Sequence, residues 1–76
     1  MYKDENFRKV NTHMLAPKGE HIPCKCYSYE TRTKLFDIIV KDSDPSAFVI
    51  RTNSKKSDVR IAHHEIDKHF NLGLKL

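Results

Sequence analysis

Apolar residues in this 76-residue chain concentrate in its middle, in three short runs with the composition of β-strands. The runs span residues 22–29, 34–41 and 47–52, and turn-forming residues bound each of them. The links between the runs are short, and short links join antiparallel neighbours. The pattern therefore predicts a β-meander over residues 22–52.

The predicted strands carry apolar residues on both faces. In the second run Phe36, Ile38 and Val40 share one face, because side chains alternate along a strand. Leu35 and Ile39 share the opposite face. A sheet that is apolar on both faces needs cover on both. Three arrangements supply that cover: a helix on each face, a small barrel, or a dimer.

A helical pattern follows the predicted strands. At about 100° per residue, Ala62, Ile66 and Phe70 fall on one side of a helix over residues 59–71. This apolar stripe is expected to pack on the sheet. The predicted core consists of Phe36, Ile38, Val40, Phe48, Ile50, Ala62, Ile66 and Phe70.

The N-terminal region has a weaker pattern with two interpretations. Phe7, Val10 and Met14 fall at i, i+3 and i+7, which predicts a short helix within residues 1–15. Two weak helix formers interrupt that pattern. The alternative is therefore a frayed N-terminal arm over residues 1–20.

Together these elements predict a single α+β domain over residues 1–76. It comprises a small antiparallel β-meander of three to four strands, a C-terminal helix packed on one face and a short N-terminal helix. Residues 59–61 are either a short fourth strand or the first turn of the helix, and the alternating tail at 72–76 is a further candidate for an edge strand. A domain of this size buries about 60% of the surface of its unfolded chain, so its core is thin.

Net charge narrows the class of partner. The chain has 14 Lys and Arg against 10 Asp and Glu, a net charge of +4. A positive excess favours an acidic partner, either nucleic acid or an acidic protein surface. Small soluble domains also carry such a charge without any ligand.

The sequence predicts a soluble, cytoplasmic protein without a membrane partner. It has no N-terminal signal pattern and no apolar run long enough to span a bilayer. Cys24 and Cys26 would lie about 6.6 Å apart on a strand, at the stretched end of disulfide geometry. We therefore expect reduced thiols, which are typical of a reducing compartment.

The histidines near the C-terminus do not form a known metal motif. His64 and His69 are five residues apart, which rotates one by about 140° from the other on a helix. A structural zinc held by Cys24, Cys26 and His21 is a weaker alternative, because the spacing is not typical of zinc sites. No phosphate loop or nucleophile motif is present. The sequence thus predicts a non-catalytic protein without cofactor or metal.

A basic strand with interleaved tyrosines is the candidate binding site. Lys25, Tyr27 and Tyr29 alternate onto the face opposite the two cysteines. Single-strand nucleic-acid binders combine cations that hold phosphates with rings that stack on bases. The predicted nucleic-acid-binding residues are Lys25, Tyr27, Tyr29, Arg32, Lys34, Lys55 and Lys56.

These features predict a small regulatory or accessory protein that binds nucleic acid. The alternative is a protein-binding module or inhibitor that docks on a larger protein, or that forms a homodimer, through uncovered sheet surface. The salt dependence of affinity distinguishes nucleic-acid binding from protein binding, because binding to phosphates weakens steeply as salt rises.

Overall fold

The computed structural model describes residues 3–74 of the chain, apart from the side chains of Lys56 and Ser57. After a 3-10 turn at Asp4–Asn6, the chain forms the strands Phe7–Leu15 (β1), His21–Glu30 (β2), Leu35–Lys41 (β3) and Asp44–Thr52 (β4), and then the helix Lys56–Phe70 (α1). The strands form one antiparallel sheet in the order β1-β2-β3-β4. The helix packs on one face of that sheet. The predicted α+β meander with a C-terminal helix is confirmed.

The N-terminal segment is a strand over residues 7–15, where the sequence predicted a helix or an arm. β1 pairs with β2 along its whole length, which places Val10 and Met14 on one face and Phe7 on the other. The helical spacing of these apolar residues was therefore misleading, since pairing with a distant strand decided the conformation. Helical geometry in this region is confined to the single 3-10 turn at Asp4–Asn6.

The fourth strand is thus β1, and neither residues 59–61 nor the tail. Residues 59–61 lie inside α1, which begins at Lys56. Residues 72–74 form no strand, and residues 75–76 lie outside the described part of the chain. β4 begins earlier than predicted, and the register with β3 shifts between Val40 and Lys41 to accommodate its first residues.

The face under α1 contains most of the predicted core. Five of the eight predicted core residues are buried, and two more are partly buried against them. Ile50 is 41% exposed, because β4 is an edge strand. The seven residues that pack as predicted are Phe36, Ile38, Val40, Ala62, Ile66, Phe48 and Phe70.

The opposite side, which we call the helix-free face, has a smaller apolar cluster. Cys24, Cys26 and Ile39 are buried there, with Met14 and Ile22 packed against them. Small side chains on inner strands are shielded by longer neighbours even without a second layer. The described chain therefore covers one face of its sheet with a helix and leaves the other as outer surface. No helix within residues 3–74 is long and apolar enough to cross a membrane.

Candidate nucleic-acid interface

The two predicted tyrosines lie in the core beneath the helix. Tyr29 is 7% exposed, and its ring centroid lies 5.1 Å from that of Phe7. The Tyr27 ring lies 5.0 Å from that of Phe70 and carries the Lys9 ammonium 5.8 Å from its centroid. A ring that stacks on a base needs an open face. These rings instead join the sheet to the end of α1.

The predicted cations separate into two groups along the sheet. Lys34 and Lys55 line one shallow depression near the start of α1. Lys25 lies five residues from the Glu30 end of β2, which corresponds to about 17 Å of strand. The structure therefore does not bring the predicted cations together into one site.

The cations near the start of α1 are partly neutralised. Lys34 Nζ lies 3.5 Å from Asp58 Oδ2 in an exposed ion pair. Arg32 is exposed in the β2–β3 turn, and Lys55 is exposed at the residue before the helix. The side chain of Lys56 lies outside the described residues. An acidic residue within such a group weakens its attraction for phosphate.

Residues 7–27 form a more strongly charged unit, which we call the basic hairpin. It carries four Lys and Arg against one Glu, whereas the whole chain carries 14 against 10. It therefore accounts for three of the four net positive charges. The last β2–β3 pair is Cys24 with Lys41, and each strand of the hairpin continues three residues further. That is about 10 Å of strand in addition to the turn, so the hairpin projects beyond the rest of the sheet.

The helix side of the basic hairpin carries two lysines and two histidines with exposed or partly exposed side chains. Lys9, His13 and His21 are exposed, and Lys25 is partly exposed. The rings of His13 and His21 meet edge to face with centroids 5.8 Å apart. Within residues 3–74, neither Lys9 nor Lys25 has a carboxylate partner. This surface thus presents unneutralised cations together with two histidines, and the sequence analysis missed it because β1 was not predicted as a strand.

The helix-free face has a different electrostatic character. Arg51 Nη2 donates a hydrogen bond to Asp37 Oδ2 at 3.1 Å, and Asp37 is 4% exposed. Burial, with a smaller contribution from the Asp37 carboxylate, raises the pKa of the Cys26 thiol. A thiol with a raised pKa is a poor nucleophile at neutral pH. The Cys26 thiol therefore lacks the environment that activates a catalytic thiol.

His63, in α1, is a buried histidine next to Ala62 of the apolar stripe. Its side chain is 2% exposed, and its ring packs edge to face on Phe36. Nε2 has no hydrogen-bond partner among the described residues. Burial lowers the pKa of His63, while the Asp37 carboxylate opposes that shift. The fold therefore disfavours the protonated form of this imidazole.

The structure does not assemble the zinc site weighed from the sequence. Cys24 and Cys26 lie on the helix-free face, whereas His21 lies on the helix side, because the parity of their positions differs. Among residues 3–74 no three histidine, cysteine, aspartate or glutamate side chains are placed to hold one metal ion.

The helix side of the basic hairpin and the helix-free face are thus both open to partners within residues 3–74. A cavity of about 280 Å³ lies between the end of α1 and the sheet. It contains Lys25 and Lys41 but also Asp42, so it has no single charge character. Comparisons of the chain with protein-family models, curated proteins and solved structures find no match.

Proposed function

We propose that this protein is a small, non-catalytic nucleic-acid-binding protein that contacts phosphate groups through its basic hairpin. The observation that supports the proposal is the concentration of net positive charge on a projecting hairpin. Among the described residues, Lys9 and Lys25 have no carboxylate partner, whereas Lys34 and Arg51 are paired. Unpaired cations on a projecting element are available to phosphates.

The proposed contacts are electrostatic and not based on stacking. Tyr27 and Tyr29 pack against other aromatic side chains, so they offer no stacking platform. Contacts to phosphate position a protein on nucleic acid but read no sequence. Binding is therefore expected to be independent of sequence and strongly dependent on salt.

Fluorescence anisotropy with duplex DNA, single-stranded DNA and RNA, at low and at physiological salt, tests this function. Two charge-matched variants locate the site: Lys9→Gln with Lys25→Gln, and Lys55→Gln with Lys56→Gln. Each removes two positive charges. We expect the hairpin variant to lower the slope of log K against log salt by about 2, or about 1 for each lost phosphate contact.

The loop variant is expected to keep the affinity and the slope of the unmodified protein. Loss of binding in the loop variant alone would move the site to the region of Lys34 and Lys55, as the sequence first indicated. Absence of binding to all three nucleic acids at low salt would overturn the proposed function.

A protein partner is the second candidate, and the helix-free face favours it. Val10 is 52% exposed on β1 and Val49 is 41% exposed on β4, both on this face. Exposed apolar surface of this kind is typical of protein contacts. Binding through this face would depend weakly on salt and would be lost in Val49→Lys. The regulatory role and the cytoplasmic location stay predictions. The buried free thiols of Cys24 and Cys26 agree with a reducing compartment.

A further inference from the structure

The outer edge of β1 is long, regular and open. Its nine residues pair with β2 without a register shift, and they contain no proline. No strand within residues 3–74 pairs with its other side. The opposite edge strand, β4, contains Pro45 and lies beside a register shift, both of which hinder pairing with another chain. β1 has neither protection.

The hydrogen bonds of the hairpin show which residues of β1 face outward. The Ala16 N–H donates to the Glu20 carbonyl at 2.8 Å, so Ala16 faces β2. Peptide groups of successive residues alternate between the two sides of a strand. The carbonyl of Pro23, opposite His13, accepts from the Asp42 N–H at 3.1 Å and thus points toward β3, as this alternation requires. The residues that direct their N–H and C=O groups outward are Phe7, Lys9, Asn11, His13 and Leu15.

We propose that two copies of this chain pair antiparallel through β1, about a twofold axis at Asn11. Outward-facing residues then meet outward-facing residues over the full strand, which forms five hydrogen-bonded pairs. Leu15, which is 73% exposed, lies opposite Phe7 of the second copy. On the helix-free face Val10 lies opposite Thr12 of the second copy. The pairing buries exposed apolar side chains and gives hydrogen-bond partners to the outward N–H and C=O groups of β1.

This register also keeps like charges apart. Lys9 lies opposite His13 of the second copy and not opposite the second Lys9. The two Lys9 residues are separated by four positions along the strand, about 14 Å. That distance exceeds the Debye length of about 8 Å at physiological salt. In a register shifted toward Phe7, Lys9 would lie opposite Asn11 of the second copy. The distance between the two Lys9 residues along the strand would then be halved, and fewer residues of the two β1 strands would pair.

The dimer would complete the surface on which the proposed function depends. A twofold axis perpendicular to the sheet keeps both helices on one side. The uncovered helix sides of the two basic hairpins then form one continuous surface between the helices. Each copy contributes Lys9, His13, His21 and Lys25. A single nucleic-acid segment could therefore contact cations of both copies, which raises the number of phosphate contacts without a new charge.

The test is the solution mass, measured by sedimentation equilibrium at micromolar protein concentration. We expect twice the 8.9 kDa mass of one chain. Asn11→Pro removes an outward N–H and no hydrogen bond to β2, so it should weaken the dimer at least about tenfold and leave the fold intact. Asn11→Thr keeps the N–H and is the matched control, which should stay dimeric. Far-ultraviolet circular dichroism and thermal unfolding verify the fold of each variant.

A second variant covers the case in which Asn11→Pro does not fold. Asn11→Lys adds a charge at an exposed position, and in the dimer it places two ammonium-bearing residues about 5.5 Å apart at Cα. It should give the monomer mass. A monomeric unmodified protein would overturn the inference. So would a dimer that survives both Pro and Lys at this position, because its interface would lie elsewhere. Val49→Lys, on the helix-free face, should leave the mass unchanged.

The failure of this inference can be distinguished from the failure of the proposed function. A dimer that binds no nucleic acid would support β1 pairing and overturn the function. A monomer that binds nucleic acid with one-to-one stoichiometry would overturn β1 pairing and support the function.

Discussion

One face of β2 has two parts that differ in what lies above them. Tyr27 and Tyr29 lie under α1 and pack against its last turn and against β1. Lys25 and His21 continue the same face beyond the helix, where side chains are partly or fully exposed. The alternation of side chains determines which residues share a face, but the position of the helix determines which of them reach solvent. A stacking site and a core are therefore indistinguishable from the strand sequence.

The end of α1 marks the boundary between the two parts. The helix ends at Phe70, and Asn71 follows in the left-handed conformation, with its N–H bonded to the Asp67 carbonyl. Phe70 covers Tyr27, whereas Lys25 lines the cavity at the end of the helix and is partly exposed. Substitutions in the covered part should therefore lower the free energy of unfolding. Substitutions in the uncovered part should lower the affinity for nucleic acid.

The largest effect is expected from the centre of the covered part. Phe36 has no exposed surface and packs on Tyr29 and His63. Phe36→Ala should lower the free energy of unfolding by about 3–5 kcal/mol, through lost burial and a residual cavity. Urea denaturation followed by circular dichroism measures this change. A loss below about 1 kcal/mol would contradict the assigned core.

Tyr27 tests the boundary itself. Its ring is partly buried against Phe70, so Tyr27→Ala should cost about 1–2 kcal/mol of stability. Because the ring is packed, the folded variant should keep its affinity for nucleic acid. Thermal unfolding and anisotropy are measured on the same sample. Preserved stability with a large loss of affinity for single strands would show that the ring stacks on bases after all.

His63 makes the covered part sensitive to pH. Burial lowers its pKa in the fold, so below its usual pKa the unfolded chain binds more protons than the native chain. Stability should therefore fall as pH decreases from about 6.5 toward the lowered pKa of the folded state. His63→Leu removes an unpaired buried nitrogen and should add about 1 kcal/mol at neutral pH. Denaturation midpoints measured from pH 7.5 to 5 should decline less in the variant, and an equal decline would assign the effect to another group.

The smallest effect is expected at the opposite end of the sheet. The ion pair of Lys34 with Asp58 is exposed, and such pairs contribute little. Lys34→Gln should change the free energy of unfolding by no more than about 0.5 kcal/mol. Its affinity for nucleic acid should also match that of the Lys55→Gln, Lys56→Gln variant. A marked loss of binding in Lys34→Gln would restore the loop region as the site.

The meander and the helix could be predicted because local signals agree there. Turn residues bound β2, β3 and β4, and Ala62, Ile66 and Phe70 repeat at helical spacing. β1 could not be predicted in this way, because its apolar residues are sparse and also fit a helix. Its strand conformation depends on pairing with β2, which the segment does not reveal by itself.

The candidate site could be predicted only in part, for the same reason. Lys25 is common to the predicted site and the basic hairpin. Lys9 and His13 join it only when β1 lies beside β2. Tyr29 looked available because a strand sequence does not show what covers it. The burial of His63 likewise depends on the rotation of α1 about its axis, which an apolar stripe defines only coarsely.

The most direct test of the account is the salt dependence of duplex DNA binding by the unmodified protein and by the Lys9→Gln, Lys25→Gln variant. Affinity should fall steeply as salt rises, and the slope should be smaller by about 2 in the variant. The Lys55→Gln, Lys56→Gln variant, with the same net charge, should follow the unmodified protein. Equal slopes for the unmodified protein and the hairpin variant would contradict the assignment of phosphate contacts to the basic hairpin.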